Sequence, residues 1–250
     1  MRLTVVGCSG SLPGPDSPAS CYLVEQDGFC LVLDLGSGAL GALQRHVRPA
    51  DIGAVLVSHL HADHCLDLCP MYVALRYGPD ESTRRAQPLP VYGPAGTADR
   101  IATANGAGMD GLAAVIDFRE VRPGRLRIGP FEVTAVRTAH PVDCHAVRLE
   151  AGGRVLAYTA DTGPSPDVEA LAAGADLLLA EASFVTGVDN RADLHLTGRQ
   201  AGQMARRSGA RRLVVTHVPP WYHRSAAVAE ACAEFDGPCS AAEPEAVLQV

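Results

Sequence analysis

The chain contains no lysine, and all 21 of its basic residues are arginine. That bias reads as the mark of a GC-rich genome and says nothing about catalysis. No stretch approaches the roughly 20 consecutive apolar residues that a membrane-spanning helix needs, so no membrane partner is expected. The run Leu3-Thr4-Val5-Val6-Gly7-Cys8 resembles a lipoprotein cleavage site, but it is far too short for the apolar core of a signal peptide. No linker or low-complexity segment interrupts the sequence. The eight cysteines form no CxxC pair, and a scatter of this kind suits a reducing cytosol without disulfides. Cys65 and Cys69 lie a helical turn apart, and they read as buried helix thiols rather than as a metal site. Excess positive charge is also missing. A net charge of −7 and a pI near 5.7 argue against a long nucleic-acid footprint, which requires many phosphate contacts.

What is present centres on Ser58-His59-Leu60-His61-Ala62-Asp63-His64. Imidazoles suit zinc and related metals, and a carboxylate among them permits two adjacent ions. The apolar run Ala54-Val55-Leu56-Val57 leads straight into the cluster, so a buried strand is expected to deliver it on a loop at the strand's carboxyl end. Alternation along that loop lets His59 and His61 point one way while Asp63 and His64 reach a second ion. Six residues cannot complete two sites. Further ligand types stand at the ends of three more β-rich runs, at His140, Asp161 and His217, each with proline or glycine within the next three positions.

This order of residues resembles the metallo-β-lactamase fold, and within it the RNase Z-like branch. Val5-Val6-Gly7-Cys8-Ser9-Gly10-Ser11 is similar to that branch's opening strand and loop. Asp34-Leu35-Gly36-Ser37-Gly38 resembles its Asp-x-Gly-x-Gly motif. Glu181-Ala182-Ser183-Phe184, His195-Leu196-Thr197 and Thr216-His217 resemble its closing motifs. The stretches 14–20, 64–68 and 217–221 look most like the actinobacterial atypical class II cyclic-nucleotide phosphodiesterases. Pro219-Pro220-Trp221 after the last histidine, with no obvious arm to grip tRNA, sets the chain apart from the tRNA 3′-processing enzymes.

The resemblance implies one α/β domain over residues 1–250, an αβ/βα four-layer sandwich of two mixed β-sheets flanked by helices, in a homodimer. Repeated strand–helix units fit an α/β class independently. Helices are expected over residues 39–47, 65–77, 95–104, 166–173, 197–208 and 225–235, with strands between them. Residues 78–90 read as a polar loop, either a lid over the site or plain surface. The arginine run 119–127 reads as a solvated face that also has the charge to steer an anion. His145 receives no metal role, and Asp34 is expected to orient the ligand loop.

Two divalent ions are therefore expected, zinc first, with manganese or iron as alternatives. His59, His61 and His140 are assigned to one ion, Asp63, His64 and His217 to the other, and Asp161 to both. Two such cations hold a hydroxide between them for in-line attack at phosphorus. Asp63, His195 and Glu181 are the candidate catalytic groups. By analogy with the branch, His195 protonates the departing sugar oxygen, with Glu181 orienting it. The expected reaction converts 3′,5′-cyclic nucleotides such as cyclic AMP to 5′-monophosphates. A tRNA 3′-endonuclease, a glyoxalase II-like thioester hydrolase and a non-catalytic metal-bound nucleotide sensor are the alternatives. A diiron redox role is disfavoured, because that branch places glutamate where this chain has Asp63 or its neighbour.

Overall fold

The structure is a computed structural model that describes every residue except 81, 82, 107 and 189. Among the described residues, strands β1 (Arg2–Gly7), β2 (Cys21–Gln26), β3 (Phe29–Leu33), β4 (Ile52–Leu56), β5 (Leu89–Gly93) and β6 (Ile116–Glu120) lie side by side in chain order. Strands β7 (Gly124–Ile128), β8 (Phe131–Arg137), β9 (His145–Ala151), β10 (Arg154–Tyr158), β11 (Leu177–Glu181), β12 (Leu213–Thr216) and β13 (Cys239–Ala241) form the second sheet in the same manner. The last strand, β14 (Val247–Gln249), returns to pair with β1. Both sheets are mixed. In each, antiparallel pairs come first and parallel pairs follow, the parallel ones running β3 to β6 and β10 to β13.

Strand alternation explains how the layers stack. Leu31 and Leu33 of β3 meet Leu156, Tyr158, Leu177 and Leu179 from the other sheet in one core between the sheets. The intervening Val32 faces outward onto the helices of its own half, and Leu178 and Ala180 do the same in theirs. A strand buried on both faces reads as a continuous apolar run, which is why β4, β11 and β12 stand out in the sequence. Helices α1 (Ala39–Leu43), α2 (Ala62–Cys65), α3 (Leu68–Tyr77), α4 (Thr97–Asn105) and α5 (Met109–Ala113) belong to the first half; α6 (Pro166–Leu171), α7 (Gly198–Ser208) and α8 (Arg224–Cys232) belong to the second. The result is the four-layer αβ/βα arrangement that the resemblance implied. No helix among the described residues is long and apolar enough to cross a membrane.

Several local expectations need correction. The helix expected over 65–77 starts earlier and breaks at Leu66 and Asp67. There the Asp67 carboxylate turns away to accept the backbone N–H groups of Gly38 and Leu40 at 3.1 and 2.8 Å, capping α1. The 39–47 helix is only one turn long and ends at Leu43. Strands β6, β7, β13 and β14 were not anticipated. All four are edge strands of their sheets, so they lack the apolar run that marks a buried strand. The 78–90 segment is not a lid in its described part. Arg85 donates to the carbonyls of Ala50 and Ile52 at 2.7 and 2.6 Å, which pins it at the entry of β4, the end opposite His59. Residues 81 and 82 of that segment lie outside the described residues. Arginines 119, 122 and 127 pair with Asp117, Glu120 and Glu132 on the surface. Contrary to the disulfide-free expectation, Cys232 and Cys239 form a disulfide joining the end of α8 to β13, with their Cα atoms 5.6 Å apart.

Candidate metal centre

All the residues singled out by pattern converge at one edge of the sandwich. Ser58 and His59 follow β4, Asp161 lies three residues beyond β10, Glu181 ends β11 and His217 follows β12. His59, His61, His140 and Asp161 form one group in which the ligand-type atoms lie within 4.8 Å of one another, and Asp63, His64 and His217 form another. Asp161 stands between them. Its Oδ2 is 3.6 Å from His59 Nε2, while its Oδ1 is 3.3 Å from His64 Nε2 and 3.4 Å from His217 Nε2.

The partners behind the rings determine which nitrogens face inward. Ser58 Oγ donates to Asp34 Oδ2 at 2.9 Å, so it accepts from His59 Nδ1 at 3.1 Å. His64 Nδ1 donates to Asp34 Oδ2 at 2.8 Å, and His140 Nδ1 donates to the Leu194 carbonyl at 3.0 Å. Ser183 Oγ donates to the His217 carbonyl, so it accepts from His217 Nδ1 at 2.7 Å. Four imidazoles thus spend Nδ1–H outward and aim Nε2 into the cluster, as metal-bound histidines do. The inward atoms crowd together: His59 Nε2 is 2.9 Å from His61 Nδ1, and His64 Nε2 is 3.0 Å from His217 Nε2. Asp161 Oδ1 is buried and has no hydrogen-bond partner. Facing lone pairs and an orphaned buried carboxylate oxygen are costly unless a cation shares them. The donor set therefore fits divalent metal.

Electrostatics point the same way. Burial pushes His59 and His140 below the ordinary imidazole range and keeps both rings neutral. Burial also disfavours charge on His64, but the carboxylates of Asp161, Asp34 and Asp63 outweigh it and draw positive charge to that point. Burial favours the neutral form of Asp63, yet His64 and His217 hold its carboxyl well below the usual range.

His195 sits beside the cluster. Its Nδ1 is 2.8 Å from Glu181 Oε1 and 3.9 Å from Asp161 Oδ2. Burial lowers its pKa, but the Glu181 charge and hydrogen bond outweigh this and raise it to about 9. Glu181 is fully buried and is fixed by the backbone N–H groups of Thr162 and Ser183 at 2.8 and 3.0 Å. His145 belongs to none of these groups; its backbone N–H donates to the Ser58 carbonyl. Cys65 and Cys69 belong to neither group, and burial raises the Cys65 thiol to about 11.

The glycines of the opening motifs are required by close approach. A Cβ at Gly36 would fall 1.9 Å from the Asp63 carbonyl oxygen, and one at Gly10 would fall 2.2 Å from that of His217. Asp34 and His217 both adopt left-handed backbone, with φ of 55° and 56°, a strained region for side-chain-bearing residues that clusters at functional sites.

Asp34 orients the ligand loop as expected, while the tyrosines behind it were missed. Asp34, fully buried, accepts four hydrogen bonds: from Ser58 N, Ser58 Oγ, His64 Nδ1 and, at 2.7 Å, Tyr158 Oη. Tyr158 packs on Tyr22 with ring centroids 5.2 Å apart, and the Tyr22 hydroxyl meets Thr216 Oγ1 at 2.7 Å, next to His217. No local signal marks either tyrosine, since each reads as a core residue of its strand. Asp34→Ala is expected to strand these donors without partners and to lower stability by about 3–5 kcal/mol. Urea unfolding of metal-free protein checks this, and a loss below 1 kcal/mol would contradict it.

A four-layer αβ/βα fold with a His/Asp cluster at its sheet edge defines the metal-dependent hydrolases of the β-lactamase superfamily. A profile of the β-lactamase superfamily domain matches residues 31–218, and the chain belongs to that superfamily. It is 41% identical over its full length to the uncharacterized protein Rv1339 of Mycobacterium tuberculosis, covering 92% of that protein. It is 31% identical to the probable metallo-hydrolase YhfI of Bacillus subtilis over 88% of this chain and 87% of the relative. The crystal structure of YhfI superposes with a TM-score of 0.88 over 99% of both chains, at 28% identity. Ribonuclease Z of Halorubrum lacusprofundi is 29% identical over 96% of this chain and 94% of its own.

Proposed function

We propose that the protein is a two-metal phosphodiesterase that hydrolyses 3′,5′-cyclic nucleotides such as cyclic AMP to 5′-monophosphates. The observation that carries this reading is Asp161, whose two oxygens face two separate ligand groups. His59, His61 and His140 would hold one ion, Asp63, His64 and His217 the other, and Asp161 would touch both. Zinc suits this donor set best, with manganese or iron as alternatives. Bound there, the ions supply Lewis acidity that makes water nucleophilic near neutral pH and neutralises charge at phosphorus.

The chain's own residues account for the rest. Glu181 holds His195 by Nδ1, which leaves Nε2 to deliver a proton to the departing O3′. The same buried carboxylate receives the Thr162 and Ser183 amides, so the acid is held in position before substrate arrives. Asp34 and Ser183 fix His64 and His217. Residues 1–250 would act as one hydrolase domain. The homodimeric form of this reading rests on the family resemblance, and its cytoplasmic location on the scattered cysteines.

Similarity to ribonuclease Z favours a second reading, 3′-processing of tRNA, which breaks the same phosphorus–O3′ bond. Two observations weigh against it. The alignment with the Halorubrum enzyme runs over 295 positions, more than this chain's 250 residues, so that enzyme carries segments without a counterpart here. The net charge of −7 also disfavours a long polyanion. Metal-replete protein offered cyclic AMP, 3′-extended tRNA and S-lactoylglutathione should turn over cyclic AMP best. Efficient tRNA cleavage beside undetectable cyclic AMP turnover would reverse the ranking. Thioester cleavage alone would indicate a glyoxalase, and binding without any turnover would indicate a sensor.

A further inference from the structure

We infer that the apolar pocket beside the metal centre is a nucleobase subsite, with Trp221 as its stacking surface; this rests on the phosphodiesterase reading above. The cavity measures about 270 Å³ and is walled by Ala182, Phe184, Val185, Val218, Trp221 and Ala226. Phe184 joins it to the reacting groups. Ala182 and Val218 are the residues after Glu181 and His217. The Phe184 ring stands edge-on to His195, with centroids 5.1 Å apart. A phosphate held at the His/Asp cluster, with its O3′ near His195, sends its nucleoside past Phe184. The base is then placed on the far side of the Phe184 ring, in this pocket.

The mouth of the pocket carries exposed aromatic surface. Trp221 is 59% exposed, and its neighbour Tyr222 is 38% exposed. Their rings stand edge-on to each other, with centroids 6.2 Å apart. Pro219 and Pro220 stiffen the turn that carries them, and the Tyr222 N–H closes that turn on the Pro219 carbonyl at 2.9 Å. An indole is thereby presented on a rigid turn that begins at His217, so its position is tied to the metal centre. The pocket's acidic group, Glu230, is already occupied by Thr186 and the Arg199 N–H. Apart from the His223 ring and the Tyr222 hydroxyl, the walls offer π-faces and methyl groups. Such a site binds a base chiefly by its face, so it separates nucleotides from baseless phosphates.

Trp221 is the chain's single tryptophan, so intrinsic fluorescence reports on this site alone. Adenosine 5′-monophosphate should quench that fluorescence in metal-free as well as metal-loaded protein, and ribose 5-phosphate should not. Stacking on an aromatic residue corresponds to about 5- to 150-fold per base. The protein should therefore prefer cyclic AMP over the cyclic phosphate of methyl ribofuranoside by that factor in kcat/KM. Trp221→Ala should erase the preference, and Trp221→Phe should restore most of it. No quench by the nucleotide, together with equal kcat/KM for the two cyclic phosphates, would overturn the subsite while leaving the phosphodiesterase intact. Failure to hydrolyse either cyclic phosphate would overturn the phosphodiesterase, and the fluorescence titration would still decide the pocket. Emission that shifts with protein concentration, together with a Trp221→Ala variant that turns monomeric, would assign the pocket to a second copy of the chain and overturn the inference.

Discussion

Replacement of His195 by alanine is expected to slow cyclic AMP hydrolysis by about 10²–10⁴-fold, the usual contribution of a positioned general acid, while metal content stays normal. The expectation follows from how the ring is held. Nδ1 is tied to Glu181 at 2.8 Å, and Glu181 is fully buried and fixed by two backbone amides. The imidazole is thus oriented by the protein and does not depend on an ion for its position. A sugar alkoxide leaves poorly without a proton, whereas p-nitrophenolate leaves readily. The rate on bis-p-nitrophenyl phosphate should therefore fall far less than the rate on cyclic AMP. A ligand change such as His61→Ala should depress both substrates together. The geometry leaves His195 close enough to Asp161 and His217 to be grouped with them, so the test is a real one. If His195→Ala lowers both substrates equally and loses metal, His195 belongs to the coordination shell.

Asp161→Ala is expected to abolish activity and metal binding together. Elemental analysis of metal-replete wild-type protein should give two ions per chain, and the variant should retain less than one. The reason is the division of its carboxylate. One oxygen faces His59 and the other faces His64 and His217. Without that shared anion, two cations would face each other across a buried space, and few other negative charges reach both. Circular dichroism on the variant separates metal loss from unfolding. Normal metal content with full activity would remove Asp161 from the site, and one ion per wild-type chain would end the two-metal reading.

Eight of the nine site residues were legible because each is announced locally; His195 was read from the family resemblance. HxHxDH follows an apolar run, and His140, Asp161, Glu181 and His217 each stand at or just beyond the end of a β-rich segment. A strand buried on both faces must be apolar throughout, so a polar residue at its end is conspicuous. The same physics hid other parts. Strand β7 reads Arg-Leu-Arg-Ile after its glycine, and its exposed arginines suggested a charged face rather than a sheet edge. The disulfide between Cys232 and Cys239 left no mark in cysteine spacing.

By itself, then, the sequence determined the α/β class, the approximate strands, the residue types of the metal cluster and the glycines of its loops. These depend on periodicity and on chain-local chemistry. The tertiary structure alone decided which atoms face inward and what lies behind them. Asp34 receives its proton donor Tyr158 from 124 positions away, and Tyr22 reaches Thr216 across 194. It also decided that Arg85 of the 78–90 segment is tied to the far end of β4, and that Trp221 shares a pocket with Phe184. Such facts arise when two sheets close on one another. A buried carboxylate takes whatever donors the opposing layer presents, and no spacing along one strand specifies the residue that arrives from the other.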